Sequence, residues 1–178
     1  VFVADTKNDR IQTFNAQGDV LNILNLQDKL GTRAAPVSIA MNPVTKWMYV
    51  ADTLNDKVFV MDPLGAVLKT IGAHGNMPGQ FNQPNGLTLG SNGKLYVADT
   101  NNSRIQIFSA DGSYLNQITS SAIKHPLGMA LGRNNEVYVT GQDADGVLKF
   151  DASGNYLGML VPSGSTLKQA HDVAVEPD

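Results

Sequence analysis

Apolar residues in this chain fall in short runs separated by turn signals. Arg104-Ile105-Gln106-Ile107-Phe108 alternates polar and apolar side chains, the period of a half-buried strand. Leu95-Tyr96-Val97-Ala98 is a short apolar run with strand-forming residues, and 114–118 reads as a further strand. Ser91-Asn92-Gly93, Ala110-Asp111-Gly112, Ala16-Gln17-Gly18, Pro63-Leu64-Gly65 and Ala152-Ser153-Gly154 stand between such runs, and their Gly, Asn and Asp residues suit tight turns. No segment carries a sustained 3.6-residue period. Residues 25–33 are the least strand-like stretch and are where a helical turn is expected.

The pattern repeats. Val-Phe-Val-Ala-Asp-Thr opens the chain, Met-Tyr-Val-Ala-Asp-Thr and Leu-Tyr-Val-Ala-Asp-Thr follow, and a worn copy reads Val-Tyr-Val-Thr-Gly-Gln. The central valines Val3, Val50, Val97 and Val139 are spaced by 47, 47 and 42 residues. Four short strands per period is the make-up of one β-propeller blade. A lone blade is apolar on both faces, and stacking blades around an axis buries both. The expected class is therefore all-β, a propeller of four-stranded antiparallel blades with four repeats in this chain. Residues 1–24 supply strands two to four of blade 1, followed by blades at 36–71, 84–119 and 126–161. A first strand at 171–175 either completes blade 1, with 177–178 as the short link of a closed four-bladed ring, or starts a further blade of a larger propeller.

The 178 residues carry 13 Lys and Arg against 16 Asp and Glu, a net charge of −3, so no basic surface is expected for a phosphate backbone and nucleic acid is an unlikely partner. No apolar run approaches the ~20 residues of a membrane-spanning helix. The absence of Cys excludes thiol catalysis, thiolate metal sites and disulfides. This composition favours the expectation of an extracellular or periplasmic home over a cytoplasmic one. Val1 stands first with no Met, so an upstream natural N-terminus is expected.

Three repeats carry a charged pair five residues apart: Asp5 with Arg10, Asp52 with Lys57 and Asp99 with Arg104; the fourth has Gly141 and Gly146 there. The joint loss suggests contact. A ring of carboxylates for metal or substrate is one reading. The favoured one is structural: each Asp caps the turn after the second strand and pairs with its cation across the hairpin. Metal sites built from acids gather carboxylates without a compensating cation at each. Asp143 and Asp145 lack the later Glu of a calcium loop and read as a hairpin tip.

Tyr-Val-Ala-Asp-Thr-x-Asn-x-Arg-Ile-Gln-x-Phe at 96–108 and Gly-Gln-Phe-x-x-Pro-x-Gly at 79–86 resemble NHL repeats, and the likeness extends over essentially the whole chain. The resemblance implies a propeller, six-bladed in most relatives. Those relatives include protein-interaction scaffolds, RNA-binding domains, receptor-kinase sensor domains and a zinc-dependent lyase of peptide amidation. In that lyase, zinc is held by His residues at the start of the innermost strand in several blades. The matching positions here are Val37, Asn85, Leu127 and His171, with Asp172 beside the last. These channel-mouth residues are the binding candidates. Only His171 has zinc chemistry, and zinc needs three or four ligands, so no metal or other cofactor is assigned. The expected function is a non-enzymatic scaffold for a protein, peptide or glycan, with self-association if the ring is incomplete. The alternative is a zinc- or calcium-dependent enzyme like the amidating lyase, with part of its site in missing blades.

Overall fold

The computed structural model describes residues 1–161, 167 and 170–176. They form four antiparallel sheets. The first holds β1 (Phe2–Asp5), β2 (Arg10–Phe14) and β3 (Val20–Asn25). The second holds β4 (Pro36–Met41), β5 (Met48–Asp52), β6 (Lys57–Met61) and β7 (Val67–Ile71). The third runs through β8 (Pro84–Leu89), β9 (Leu95–Asp99), β10 (Arg104–Phe108) and β11 (Tyr114–Ile118). The fourth comprises β12 (Pro126–Leu131), β13 (Val137–Gly141), β14 (Val147–Phe150) and β15 (Tyr156–Leu160). Each sheet pairs its strands in chain order, as blades do. A short helix, α1 (Leu26–Leu30), occupies the expected stretch between the first two sheets. It buries Leu26 and ends on Gly31 in a left-handed conformation.

Three apolar clusters fill the three interfaces between successive sheets. Successive side chains of a strand point to opposite faces. Accordingly, Tyr96 and Ala98 of β9 pack toward Val137 and Val139 of β13, while Leu95 and Val97 pack toward Tyr49 and Ala51 of β5. A strand sandwiched in this way must be apolar on both faces, which is why the repeat reads as an unbroken run of Leu, Tyr, Val and Ala.

The turn glycines show how tightly the sheets approach. A Cβ placed on Gly65, Gly112 or Gly154 would strike Leu24, Ile71 or Ile118, the buried end of the preceding sheet's outer strand. All three have φ between +83° and +88°, a conformation glycine adopts without steric cost. Close approach recurs at the axis. A Cβ on Gly86 would strike the Leu127 carbonyl oxygen, and one on Gly128 would lie 2.5 Å from the Asp172 Cα.

The C-terminal segment differs from the expected first strand. Residues 171–176 fall in no assigned strand. They run beside β12, from His171 and Asp172 against Gly128 to Val175 and Glu176 near Leu131 and Gly132. Among the described residues, β1 pairs with β2 alone. Inner strands of successive sheets are not hydrogen-bonded to one another, so a segment that lies beside β12 alone has no ladder partner among the described residues. The expected closing link at 177–178 lies outside the described residues.

Hairpin ends are held by carboxylates. Asp151 is held below the usual carboxylate range by the Asn155 side-chain amide, helped by nearby backbone N–H groups; Ser109 and Ser113 act likewise on Asp111. A lowered folded-state pKa adds stability that is complete above the ordinary Asp value and is lost as pH falls through the folded value. The denaturant midpoint should therefore stay level from neutral pH down to the ordinary carboxylate range and drop below it. Asp151→Asn should make that acid drop shallower.

Candidate functional site

The inner strands β4, β8 and β12 lie side by side, and the residues at their starts meet. Val37, Ser38, Asn85, Gly86, Leu127 and Gly128 line one cavity of about 230 Å³ together with His171 and Asp172. All five channel-mouth candidates are thus brought to one place. Val37 and Asn85 are half-buried and Leu127 is buried, while His171 and Asp172 are exposed. Asp172 Oδ1 accepts a hydrogen bond from the Val173 N–H, and Ser38 Oγ accepts one from the Leu87 N–H at 3.1 Å. The wall combines apolar Val37 and Leu127 with the polar groups of Asn85, His171 and Asp172.

Interblade hydrogen bonds set the position of this mouth. Thr6 Oγ1 donates to the Pro36 carbonyl at 2.7 Å, Thr53 to Pro84 at 2.5 Å and Thr100 to Pro126 at 2.8 Å. In each case the Thr of an Ala-Asp-Thr tract ties one sheet to the first residue of the next inner strand. The mouth residue follows one position later. Sequence reasoning missed this link, although a signal existed: where Thr gives way to Gln142, the corresponding Pro gives way to Ala170.

The repeated acids have other work. Arg104 Nε donates to Asp99 Oδ2 at 2.7 Å, and both side chains are buried, with 8% and 0% exposure. Asp99 also accepts from the Asn82 N–H, the Asn102 amide and the Gln106 amide. Arg104 further donates to the carbonyls of Met77 and Gln80. This network fastens the connector before β8 to the third sheet. Arg10 and Asp5 make the same 2.7 Å contact in a more exposed setting, and that guanidinium, followed by the Asn8 amide, holds the Asp5 carboxyl below its ordinary range.

Asp52 departs from the pattern. Its carboxylate accepts from the N–H groups of Ala35, Leu54 and Asn55 and from the Asn55 amide. Lys57 is its register partner, yet no ion pair joins them among the described residues. Backbone donors already satisfy the acid, and a lysine lacks the planar fork that reaches a carboxylate sideways. Each repeated Asp therefore serves its own sheet, and the three do not converge on a shared point.

The remaining histidines sit apart from the mouth. His74 Nδ1 lies 2.8 Å from Asp56 Oδ2, and His125 Nδ1 lies 2.7 Å from Asp143 Oδ2. Asp143 thus belongs to a hairpin tip paired with a connector. Among the described residues, no group of three or more His, Cys, Asp or Glu is placed to hold a metal ion. The mouth offers one imidazole and one carboxylate, short of the three protein ligands of a catalytic zinc, so a zinc site does not fit these residues.

A family model described as NHL repeat matches residues 81–108. No curated protein matches the chain. Among solved structures, virginiamycin B lyase from Staphylococcus aureus is 15% identical with a TM-score of 0.77, covering 99% of this chain and 56% of that one. A nidogen/laminin complex gives 18% and 0.72, covering 97% and 62%. The RRP9 WD40 repeats give 15% and 0.72, covering 94% and 49%. The chain spans about half the length of the solved structures it matches. At such identities the likeness concerns the fold, and it agrees with the sheets and clusters described above: the chain folds as an array of β-propeller blades, one of which carries a matched NHL repeat at residues 81–108.

Proposed function

We propose that this array is a non-enzymatic binding scaffold whose channel mouth receives a polar group of a protein, peptide or glycan partner. The observation that carries this reading is the cavity shared by three inner strands and the 171–172 segment. Its mixed wall suits one extended side chain or one sugar ring: Val37 and Leu127 offer apolar contact, and Asn85, His171 and Asp172 offer hydrogen bonds. Such concave sites with a few convergent polar groups are the usual form of ligand pockets. The regular interblade bonds supply a rigid frame that binding need not order.

The experiment screens the purified chain against a peptide library and a glycan array, then repeats the hits with His171→Ala and Asn85→Ala. Binding should weaken at least about tenfold in each, the size of one lost hydrogen bond to a charged or polar partner, with the unfolding midpoint unchanged for exposed His171. Hits that ignore both substitutions would remove the mouth from the reading. Stoichiometric zinc retained by the chain and lost on His171→Ala would instead favour the metal-dependent alternative.

A further inference from the structure

The valine spacing before the fourth repeat is 42 residues where the two before it are 47, and the shortening is local. Residues 72–83 join β7 to β8, whereas only residues 119–125 join β11 to β12. From Phe81 onward the third and fourth repeats correspond at a constant offset of 42 residues. Ile123 is buried between the third and fourth sheets as Phe81 is between the second and third. The five missing residues therefore belong to the arch that precedes Phe81 in the third repeat.

Polar side chains clamp that arch. Arg104 donates to the Met77 and Gln80 carbonyls and to Gln117 Oε1. The Gln106 amide donates to the Gln80 carbonyl, and the Asn102 amide to the Gly75 carbonyl. In the fourth repeat the positions of Arg104, Gln117, Gln106 and Asn102 hold Gly146, Met159, Leu148 and Ala144. Arch and clamp are thus absent together. A Cβ on Gly141, the counterpart of Asp99, would lie 2.6 Å from the Lys124 carbonyl oxygen, so the shortened connector runs where the acid would stand. A pocket of about 280 Å³ remains, and all of it lies within residues 121–159. Its apolar lining includes Ala144 and Leu148, both buried, and Tyr156 and Met159, which are 45% and 43% exposed. Its charged groups are Lys124, Asp143 and Asp145, all exposed. Asp143 Oδ2 meets His125 Nδ1, and no described group donates to the Asp145 carboxylate.

We propose that this pocket binds a small organic amine, an ammonium group carried on an apolar ring. The lining of Ala144, Leu148, Tyr156 and Met159 takes the ring, and both the Tyr156 ring and the Met159 thioether favour an aromatic one. The two carboxylates outnumber the single ammonium of Lys124, and the excess negative charge takes the cation. The volume stands at the small end of ligand pockets, about 300–1,000 Å³, which suits one ring on a short chain. An apolar pocket with a few polar groups at one side is the usual form of such sites.

Titration of the purified chain with 2-phenylethylamine, followed by ligand-observed NMR, tests this. The expected Kd is below about 1 mM. The Asp143→Asn, Asp145→Asn double variant should weaken binding at least about fivefold. Both positions are exposed, so that variant should stay folded, and its unfolding midpoint checks this. 3-Phenylpropanoate, which carries a carboxylate in place of the ammonium, should bind at least about fivefold more weakly than the amine. His171→Ala, which tests the channel mouth, should leave amine binding unchanged, so this result is independent of the scaffold reading. A Kd above about 1 mM for the amine would overturn the proposal. So would a double variant that binds as well as the parent chain, equal binding of the propanoate, or loss of amine binding on His171→Ala.

Discussion

Asp99→Ala is expected to lower the free energy of unfolding by about 3–5 kcal/mol, the usual result of removing one member of a buried ion pair. The substitution strands the Arg104 guanidinium in a site where its side chain is 8% exposed. It also removes the acceptor for the Asn82 N–H and for the amides of Asn102 and Gln106. Both consequences act on the connector that carries β8 and hence Asn85 to the channel mouth. Asp99→Asn keeps the shape and one acceptor oxygen but loses the charge, and its loss should be intermediate. Asp5→Ala should cost clearly less, because Arg10 is 30% exposed and can return to water. Denaturant midpoints of the three variants check the order, and equal losses at Asp5 and Asp99 would show that burial does not set the strength of this repeated pair.

Phe81→Ala should cost about 3–5 kcal/mol by leaving a cavity that the rigid interface cannot close. Phe81 belongs to a connector, yet it is fully buried in the cluster between the second and third sheets. Its ring lies 5.6 Å from that of Phe108, which in turn meets Tyr114 edge-on at 5.9 Å. A Cβ on Gly72 would strike the Phe81 ring, so the backbone has been shaped around this side chain. Phe81→Leu keeps most of the apolar volume and should recover more than half of the loss. Unfolding in denaturant checks both, and a loss below about 1 kcal/mol for Phe81→Ala would mean that the two sheets can collapse onto the gap.

Most of the architecture was legible in the residues because it depends on local rules. Alternation of side chains along 104–108, the apolar run at 95–98 and the turn glycines each encode one strand or one reversal, and the recurrence of Val3, Val50, Val97 and Val139 encodes the stacking. The convergence of Val37, Asn85, Leu127 and His171 followed from that recurrence, since equivalent positions of stacked blades must share one end of the axis. The helical turn at Leu26–Leu30 was legible for the same local reason. Less was legible in the charged pairs. Spacing brings Asp52 opposite Lys57 as it brings Asp99 opposite Arg104, but whether the acid takes a cation or backbone N–H groups depends on how the connector before each inner strand folds back.

What the sequence by itself determined, then, is the blade: its strands, its turns, its two apolar faces and the number of times it is repeated. What only the tertiary structure decided is how blades meet. It showed that each repeated Thr reaches the Pro carbonyl of the next inner strand, that Gly86 and Gly128 mark backbone contact at the axis, and that 171–176 lies beside β12 while β1, among the described residues, pairs with β2 alone. These are relations between residues about 25 to 45 positions apart. Local propensity is indifferent to them, because the angle accumulated from sheet to sheet, set by packing over the whole interface, decides which distant groups come within reach.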